Sequence, residues 1–156
     1  MRQAAGELRA KYEEMLALRA LSASSTPHDP RPRMVRLAAR WPGALREIDA
    51  LPRAQIDERI AVLTRVEDGT LEPAPRWVQA MHRFHALARG VLFVKRTLRP
   101  GEQRDERPWP SEAAEWKADV ARIARPPRGR LMDLVYERLG RELDLPPEEA
   151  KRLVFG

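Results

Sequence analysis

Residues 76–98 read RWVQAMHRFHALARGVLFVKRTL, and their apolar side chains recur every three or four positions, as they do along an α-helix. These side chains cover a wide face, and the run Val91–Val94 is apolar almost all round. A helix with so broad an apolar surface is stable in water only when other elements pack on several of its sides. We therefore predict a central helix near residues 76–98, surrounded by the rest of the chain.

Helical periodicity continues on both sides of this segment, punctuated by proline and glycine. Towards the N-terminus, Leu8, Tyr12 and Met15 predict a helix over residues 2–22. Farther along, apolar residues keep helical spacing on both sides of Trp41-Pro42-Gly43. Because its proline clashes with the preceding turn, we predict two short helices that meet there at a bend. Further helices are predicted around residues 56–66, 116–123, 131–143 and 147–154.

The chain lacks the alternation of apolar and polar residues that is typical of strands. Residues 23–32 and 100–109 are rich in proline and polar side chains and predict irregular loops. At 156 residues the chain fits one domain that can bury a substantial core. We therefore predict an all-α fold, a single compact domain over residues 1–156 with about six or seven helices at mixed crossing angles.

Cysteine is absent from the sequence, which excludes disulfides, thiol nucleophiles and cysteine-ligated zinc. The first residues are charged throughout and do not provide the apolar segment of a signal peptide. No stretch is long and apolar enough to span a bilayer. From these observations we expect a cytoplasmic protein without a membrane span.

Two of the three histidines, His82 and His85, lie three residues apart on the predicted central helix. That spacing can bring two imidazoles to one metal ion, so a metal-dependent activity is the alternative to a structural role. A metal site needs further ligands, and no acidic residue occurs between Pro73 and Gly101. The sequence also lacks a glycine-rich phosphate loop and a Gly-x-Ser-x-Gly motif. We therefore expect no catalytic residues, no metal, no cofactor and no enzymatic activity.

Charge is distributed unevenly along the chain. The same stretch from Pro73 to Gly101 carries six basic residues, which equals the net charge of +6 of the whole protein. A second acid-free stretch, Pro30 to Arg46, is also rich in arginine. Basic side chains can hold nucleic-acid phosphates or an acidic protein surface, or they can pair with acids of neighbouring helices. The residues predicted to bind a partner are Arg83, Arg89, Lys95, Arg96 and Arg99 in the first stretch and Arg33, Arg36 and Arg40 in the second.

Residues 139–154, LGRELDLPPEEAKRLV, resemble the turn region of a helix-turn-helix. The resemblance depends on small residues at Gly140 and Ala150 and on a turn residue at Asp144, and it implies a second helix that reads DNA. This sequence departs from the pattern at the turn, where aspartate replaces glycine, and at Ala150, where a bulkier aliphatic residue is usual. Residues 148–149 are both glutamate, which places negative charge at the start of the reading helix.

These features predict a non-catalytic binding protein. In the first hypothesis the protein associates with nucleic acid through sequence-independent phosphate contacts made by the acid-free basic helix. In the alternative it is a protein-interaction adaptor whose basic face docks an acidic partner or a second copy of the chain. The two hypotheses differ in whether random DNA or RNA binds near physiological salt.

Overall fold

The computed structural model describes residues 1–23, 29–97 and 128–156. The all-α class predicted from the sequence is confirmed in these residues, which form seven helices and no strand. The helices are α1 (Arg2–Ala23), α2 (Arg31–Arg40), α3 (Ala44–Ala50), α4 (Arg53–Glu67), α5 (Arg76–Thr97), α6 (Arg128–Leu143) and α7 (Pro147–Phe155). Within the described part, no helix combines the length and the apolar character needed to cross a bilayer. The helix predicted over residues 116–123 and the loop predicted over residues 100–109 lie outside the described residues.

Prolines and glycines mark the ends of several helices. Between α2 and α3 the chain turns at Trp41-Pro42-Gly43, and Gly43 adopts a left-handed φ of 88° directly before α3. The predicted bend between two short helices is thereby confirmed. α4 begins directly after Pro52, and α7 begins with Pro147, where the missing N–H costs no helical hydrogen bond.

The described chain forms two compact units, Met1–His82 and Arg83–Gly156, and α5 supplies residues to both. In the first unit α1 packs along α4, and α2 and α3 also pack against α1. Removing the apolar side chains of these helices from water stabilises the unit. The larger side chains of its core are Leu8, Tyr12, Met15, Leu18, Leu37, Trp41, Ile56, Leu63, Val66, Val78 and Met81.

Arg19 ties α1 to the C-terminal end of α3. Its guanidinium donates hydrogen bonds to the carbonyl oxygens of Ile48, at 2.6 Å, and Leu51. The last carbonyls of a helix lack partners within the helix, so these contacts satisfy polar groups that would otherwise need water. Because Glu47 lies on the same short helix, Arg19 also holds that carboxylate close to α1.

In the second unit, aromatic side chains join the later part of α5 to α6 and α7. The Phe84 ring stacks on Tyr136 with 5.7 Å between centroids and meets Phe155 edge-on at 5.1 Å. Aromatic rings prefer these two arrangements because of their quadrupoles. The remaining core side chains of this unit include Leu87, Val91, Val135, Leu139, Leu143 and Val154.

α6 and α7 are joined by a tight turn at Asp144, which has a left-handed φ of 55°. The Leu145 N–H donates to the Gly140 carbonyl oxygen at 2.8 Å, the bond expected when a left-handed residue ends a helix. A Cβ placed on Gly140 would lie 2.5 Å from the Leu145 carbonyl oxygen, and Ala150 is fully buried. Close packing therefore explains why small residues occupy both positions.

Candidate functional site

An open groove of about 360 Å³ runs between α1 and α2 in the first unit. We call it the α1–α2 groove. It carries four basic side chains and one acidic side chain, together with apolar surface. Its lining residues are Ala10, Lys11 and Glu14 from α1, Arg33, Arg36, Leu37 and Arg40 from α2, and Trp41 directly after α2.

The periodicity of α2 explains why its arginines meet at this groove. At about 100° per residue, Arg33, Arg36 and Arg40 fall within roughly 60° of one another on the helix surface. Leu37 lies beside them on the same side and is buried, so it anchors this edge of α2 in the core. Three of the eight predicted binding residues are thus brought together along one wall.

Arg33 is held in place by Glu14 across the groove. Its Nε and Nη2 donate to the two carboxylate oxygens of Glu14, each at 2.9 Å. This paired geometry is specific and charge-assisted, and it raises the pKa of Arg33 above its ordinary value. The pair neutralises the one acidic side chain in the lining. Because Glu14 engages its guanidinium, Arg33 is a fixed part of the groove lining and is not available to bind an anion.

Arg36 and Arg40 are the exposed cations of the groove. Arg36 makes no hydrogen bond or ion pair with any other residue that the structure describes. The guanidinium carbon of Arg40 lies over the Trp41 ring, 5.4 Å from its centroid, an arrangement that favours a cation through the ring quadrupole. These two side chains therefore present positive charge to solvent at the groove.

A buried polar network lies beneath the groove. Lys11 is only 1% exposed, and its Nζ lies 2.5 Å from Oε2 of Glu47 in an ion pair that lacks hydrogen-bond geometry. The other Glu47 oxygen is 3.8 Å from Nη1 of Arg59, which donates to the Tyr12 hydroxyl at 2.7 Å. That hydroxyl in turn donates to the sulfur of Met81 at 3.0 Å.

Burial controls the protonation of this network. Loss of water lowers the pKa of Lys11, although Glu47 acts in the opposite direction, and burial raises the pKa of Tyr12. Glu47 compensates the Lys11 charge, so Lys11 adds little positive potential at the surface. The attraction of an anion to the groove consequently depends on Arg36 and Arg40.

The predicted residues of α5 lie in different surroundings. Nε and Nη2 of Arg83 each donate to a carboxylate oxygen of Glu142 on α6, both at 2.9 Å. Arg89 is half-buried in the middle of α5. The side chains of residues 95–96 and the whole of Arg99 lie outside the described residues. The structure therefore shows Arg83 already engaged by an acid.

The two histidines of α5 also have different environments. His82 donates through Nε2 to a Glu7 carboxylate oxygen at 3.0 Å, which lowers the pKa of Glu7. His85 is buried, and its ring meets Phe84 edge-on with 5.3 Å between centroids. Among the described residues, no three side chains of histidine, aspartate or glutamate converge as a metal site would require.

Sequence reasoning missed Lys11 and Trp41 as groove residues. A signal for Lys11 was available, because it lies three positions after Leu8 and four before Met15 and so falls within the apolar stripe of α1. A lysine at such a position needs a buried acidic partner. Trp41 gave no comparable signal, since tryptophan beside proline is equally typical of a packed bend.

No family model, no curated protein and no solved structure matches this chain. The functional proposal therefore depends on the chemistry of the α1–α2 groove.

Proposed function

We propose that the protein is a non-catalytic nucleic-acid-binding protein whose α1–α2 groove holds phosphate through Arg36 and Arg40. The observation that carries this proposal is the pairing of Glu14 with Arg33, which neutralises the one acid of the lining next to the exposed side chains of Arg36 and Arg40. Guanidinium suits phosphate because its planar fork can donate two parallel hydrogen bonds. Contacts of this kind recognise the backbone of a nucleic acid and not its sequence.

Phosphate binding by the groove makes a quantitative prediction about salt. Each phosphate that an arginine neutralises releases counterions, so log affinity falls linearly with log salt, by about 0.7 per contact for a single strand and about 0.9 for a duplex. Replacing both residues, in Arg36→Ala/Arg40→Ala, removes two contacts. The slope should therefore become shallower by about 1.4 on a single strand or about 1.8 on a duplex.

Fluorescence anisotropy with a labelled oligonucleotide of random sequence, titrated at several salt concentrations, measures that slope. The matched control is Arg53→Ala/Arg65→Ala, which removes two exposed arginines from α4 and lowers the net charge equally. We expect the control to keep most of the slope. Equal losses in the two variants would show that net charge alone attracts the oligonucleotide, and absence of binding by the wild type would refute the proposal.

A second candidate function, an adaptor that docks an acidic protein, is favoured by Val35. This side chain is 67% exposed on α2, roughly opposite the groove arginines. Such an exposed apolar side chain, on a face of α2 away from the groove arginines, gives a protein partner a separate apolar contact. Val35→Ser should weaken such a complex and leave oligonucleotide binding unchanged, which separates the two functions.

A further inference from the structure

Glu14 binds the guanidinium of Arg33 in the way that a phosphate group would. Its two carboxylate oxygens accept hydrogen bonds from Nε and Nη2 of Arg33, each 2.9 Å long. Guanidinium recognises carboxylate and phosphate through the same planar fork of donors. Two donors of this fork are occupied by Glu14, so a phosphate that approached Arg33 would have to compete for them.

This competition concerns the α1–α2 groove, because Glu14 and Arg33 both belong to its lining. On α2, Arg33 lies three residues before Arg36 and within roughly 60° of it on the helix surface. Arg40 continues the same row one turn farther along. A phosphate held at Arg36 therefore has Arg33 as its next cation in the row, and Glu14 already occupies that cation.

The pair between Arg33 and Glu14 lies close enough to solvent to be broken by substitution without loss of the fold. The two side chains are 37% and 34% exposed, and a pair with this exposure adds little stability because water solvates both charges. No second acid pairs with Arg33 in the described ranges. Neutralising Glu14 would therefore release the guanidinium of Arg33 into the groove.

We infer that Glu14 is an internal competitor of phosphate for Arg33, and that it limits the groove to two phosphate contacts. A phosphate that displaced Glu14 would gain Arg33 but would lie beside an uncompensated carboxylate, and the two anions would repel each other. Glu14 thus keeps the affinity for polyanions below the value that three arginines would give. This inference rests on the proposed function and deepens it, because it names the residue that sets the number of contacts.

Glu14→Gln tests this role, since it removes the charge and keeps the size of the side chain. The released Arg33 should add one contact, so log affinity for an oligonucleotide of random sequence should fall more steeply with log salt, by about 0.7 on a single strand or about 0.9 on a duplex. On a single strand, the gain in affinity over the wild type should grow about fivefold for each tenfold reduction in salt. Glu14→Asp keeps the charge and should have nearly the wild-type slope.

Glu13→Gln is the matched control for net charge, which both substitutions raise by one. Glu13 is the neighbour of Glu14 on α1, but it lies outside the groove lining and pairs with Arg9 at 2.8 Å. Arg9 also pairs with Glu67 at 2.7 Å, so the loss of Glu13 does not release it. We expect the slope for this control to equal that of the wild type.

A double variant assigns the added contact to Arg33. Glu14→Gln/Arg33→Ala has the net charge of the wild type and lacks both members of the pair, so its slope should return to the wild-type value. Arg33→Ala alone leaves the Glu14 carboxylate uncompensated beside the remaining groove arginines. We expect this single variant to bind the oligonucleotide more weakly than the double variant does.

The outcomes separate this inference from the proposed function. An unchanged slope in Glu14→Gln, or an equally steep slope in Glu13→Gln, overturns the inference while phosphate binding by Arg36 and Arg40 stands. A steep slope that persists in Glu14→Gln/Arg33→Ala overturns it as well, and so does a slope for Glu14→Asp as steep as that for Glu14→Gln. Absence of oligonucleotide binding by the wild type overturns both the inference and the proposed function.

Discussion

The Lys11 ammonium lies 2.5 Å from a Glu47 carboxylate oxygen, in the polar network beneath the α1–α2 groove. This pair connects two helices, because Lys11 is in α1 and Glu47 is in α3. The basic residues of the groove consequently have different roles. Lys11 is paired inside the protein and supports the fold, whereas Arg36 and Arg40 face solvent.

We predict that Lys11→Met lowers the free energy of unfolding by about 3 kcal/mol, the lower end of the range for removing one partner of a buried pair, because Glu47 then keeps only the more distant Arg59 as a partner. Urea denaturation followed by circular dichroism measures this loss. The double variant Lys11→Met/Glu47→Leu removes both charges of the pair and should recover part of it, since Arg59 then loses its contact with Glu47 but keeps its hydrogen bond to Tyr12.

The matched control for this prediction is Arg53→Ala, which breaks the exposed pair between Arg53 and Asp57. An exposed pair four residues apart on a helix contributes only about 0.3–0.5 kcal/mol. A Lys11→Met variant no less stable than this control would show that the ion pair is not needed for folding. The same conclusion would follow if the double variant were as unstable as the single one.

The Glu7–His82 contact predicts a pH dependence of stability. The hydrogen bond from His82 holds the pKa of Glu7 below its ordinary value of 4.5. A carboxyl group whose pKa is lower in the folded state adds stability above its unfolded pKa, and this stability is lost as the pH falls through the folded pKa. We therefore expect the stability difference between wild type and Glu7→Gln to shrink as pH falls from about 5 to about 3.

Thermal unfolding at a series of pH values measures this difference. Glu58→Gln removes an exposed carboxylate from α4 and is the control, because none of the described contacts involves its side chain. Its difference from wild type should stay nearly constant over the same range. A Glu7→Gln difference that is equally constant would contradict the assigned role of the contact.

Most helix ends could be predicted from the sequence because they depend on local chemistry. The first helix was predicted over residues 2–22 and extends over Arg2–Ala23, and the central one was predicted over residues 76–98 and extends over Arg76–Thr97. The bend at Trp41-Pro42-Gly43 follows from one proline and one glycine. Signals of this kind act within a few residues and need no knowledge of the tertiary structure.

The ion pairs between helices could not be predicted in the same way. Arg83 and Glu142 are 59 positions apart, and Arg33 and Glu14 are 19 apart. Helical periodicity indicates the face on which a residue lies, but the neighbour that it meets depends on how the helices pack. For this reason the sequence drew attention to the acid-free stretch of α5, whereas the exposed arginine that makes no ion pair within the described ranges, Arg36, lies on α2.

The turn between α6 and α7 predicts a stabilising substitution. Asp144 has a left-handed φ of 55°, a conformation that is unfavourable for residues with a Cβ and favourable for glycine at the end of a helix. We expect Asp144→Gly to raise the free energy of unfolding by about 0.5–1 kcal/mol, which urea denaturation can measure. A loss of stability would indicate that the aspartate side chain makes a favourable contact of its own.

Four residues earlier, the opposite change is expected. A Cβ at Gly140 would lie 2.5 Å from the Leu145 carbonyl oxygen, and a backbone atom has less freedom to move away than the end of a side chain. We predict that Gly140→Ala destabilises the protein by about 1–3 kcal/mol, despite the better helix propensity of alanine. Arg141→Ala, at the next and exposed position, is the control and should change stability by less than about 0.5 kcal/mol.

The last prediction tests which of the two basic stretches binds nucleic acid, the one in α2 or the one in α5. Arg83 was predicted from the sequence to bind a partner, but its guanidinium makes two 2.9 Å hydrogen bonds to Glu142. We expect Arg83→Ala to cost about 0–1 kcal/mol of stability, since the pair is partly exposed, and to leave oligonucleotide affinity nearly unchanged. Arg36→Ala, which breaks no ion pair in the described structure, should weaken oligonucleotide binding about tenfold.

Glu142→Gln completes this comparison, because it removes the acid that engages Arg83 and keeps the size of the side chain. If Arg83 is available to phosphate, the loss of its acidic partner should increase oligonucleotide affinity. If the groove arginines bind the oligonucleotide, Glu142→Gln should change that affinity only slightly, because it raises the net charge of the protein by one. We expect this result. A large increase that Arg83→Ala abolishes would instead place the interface on α5.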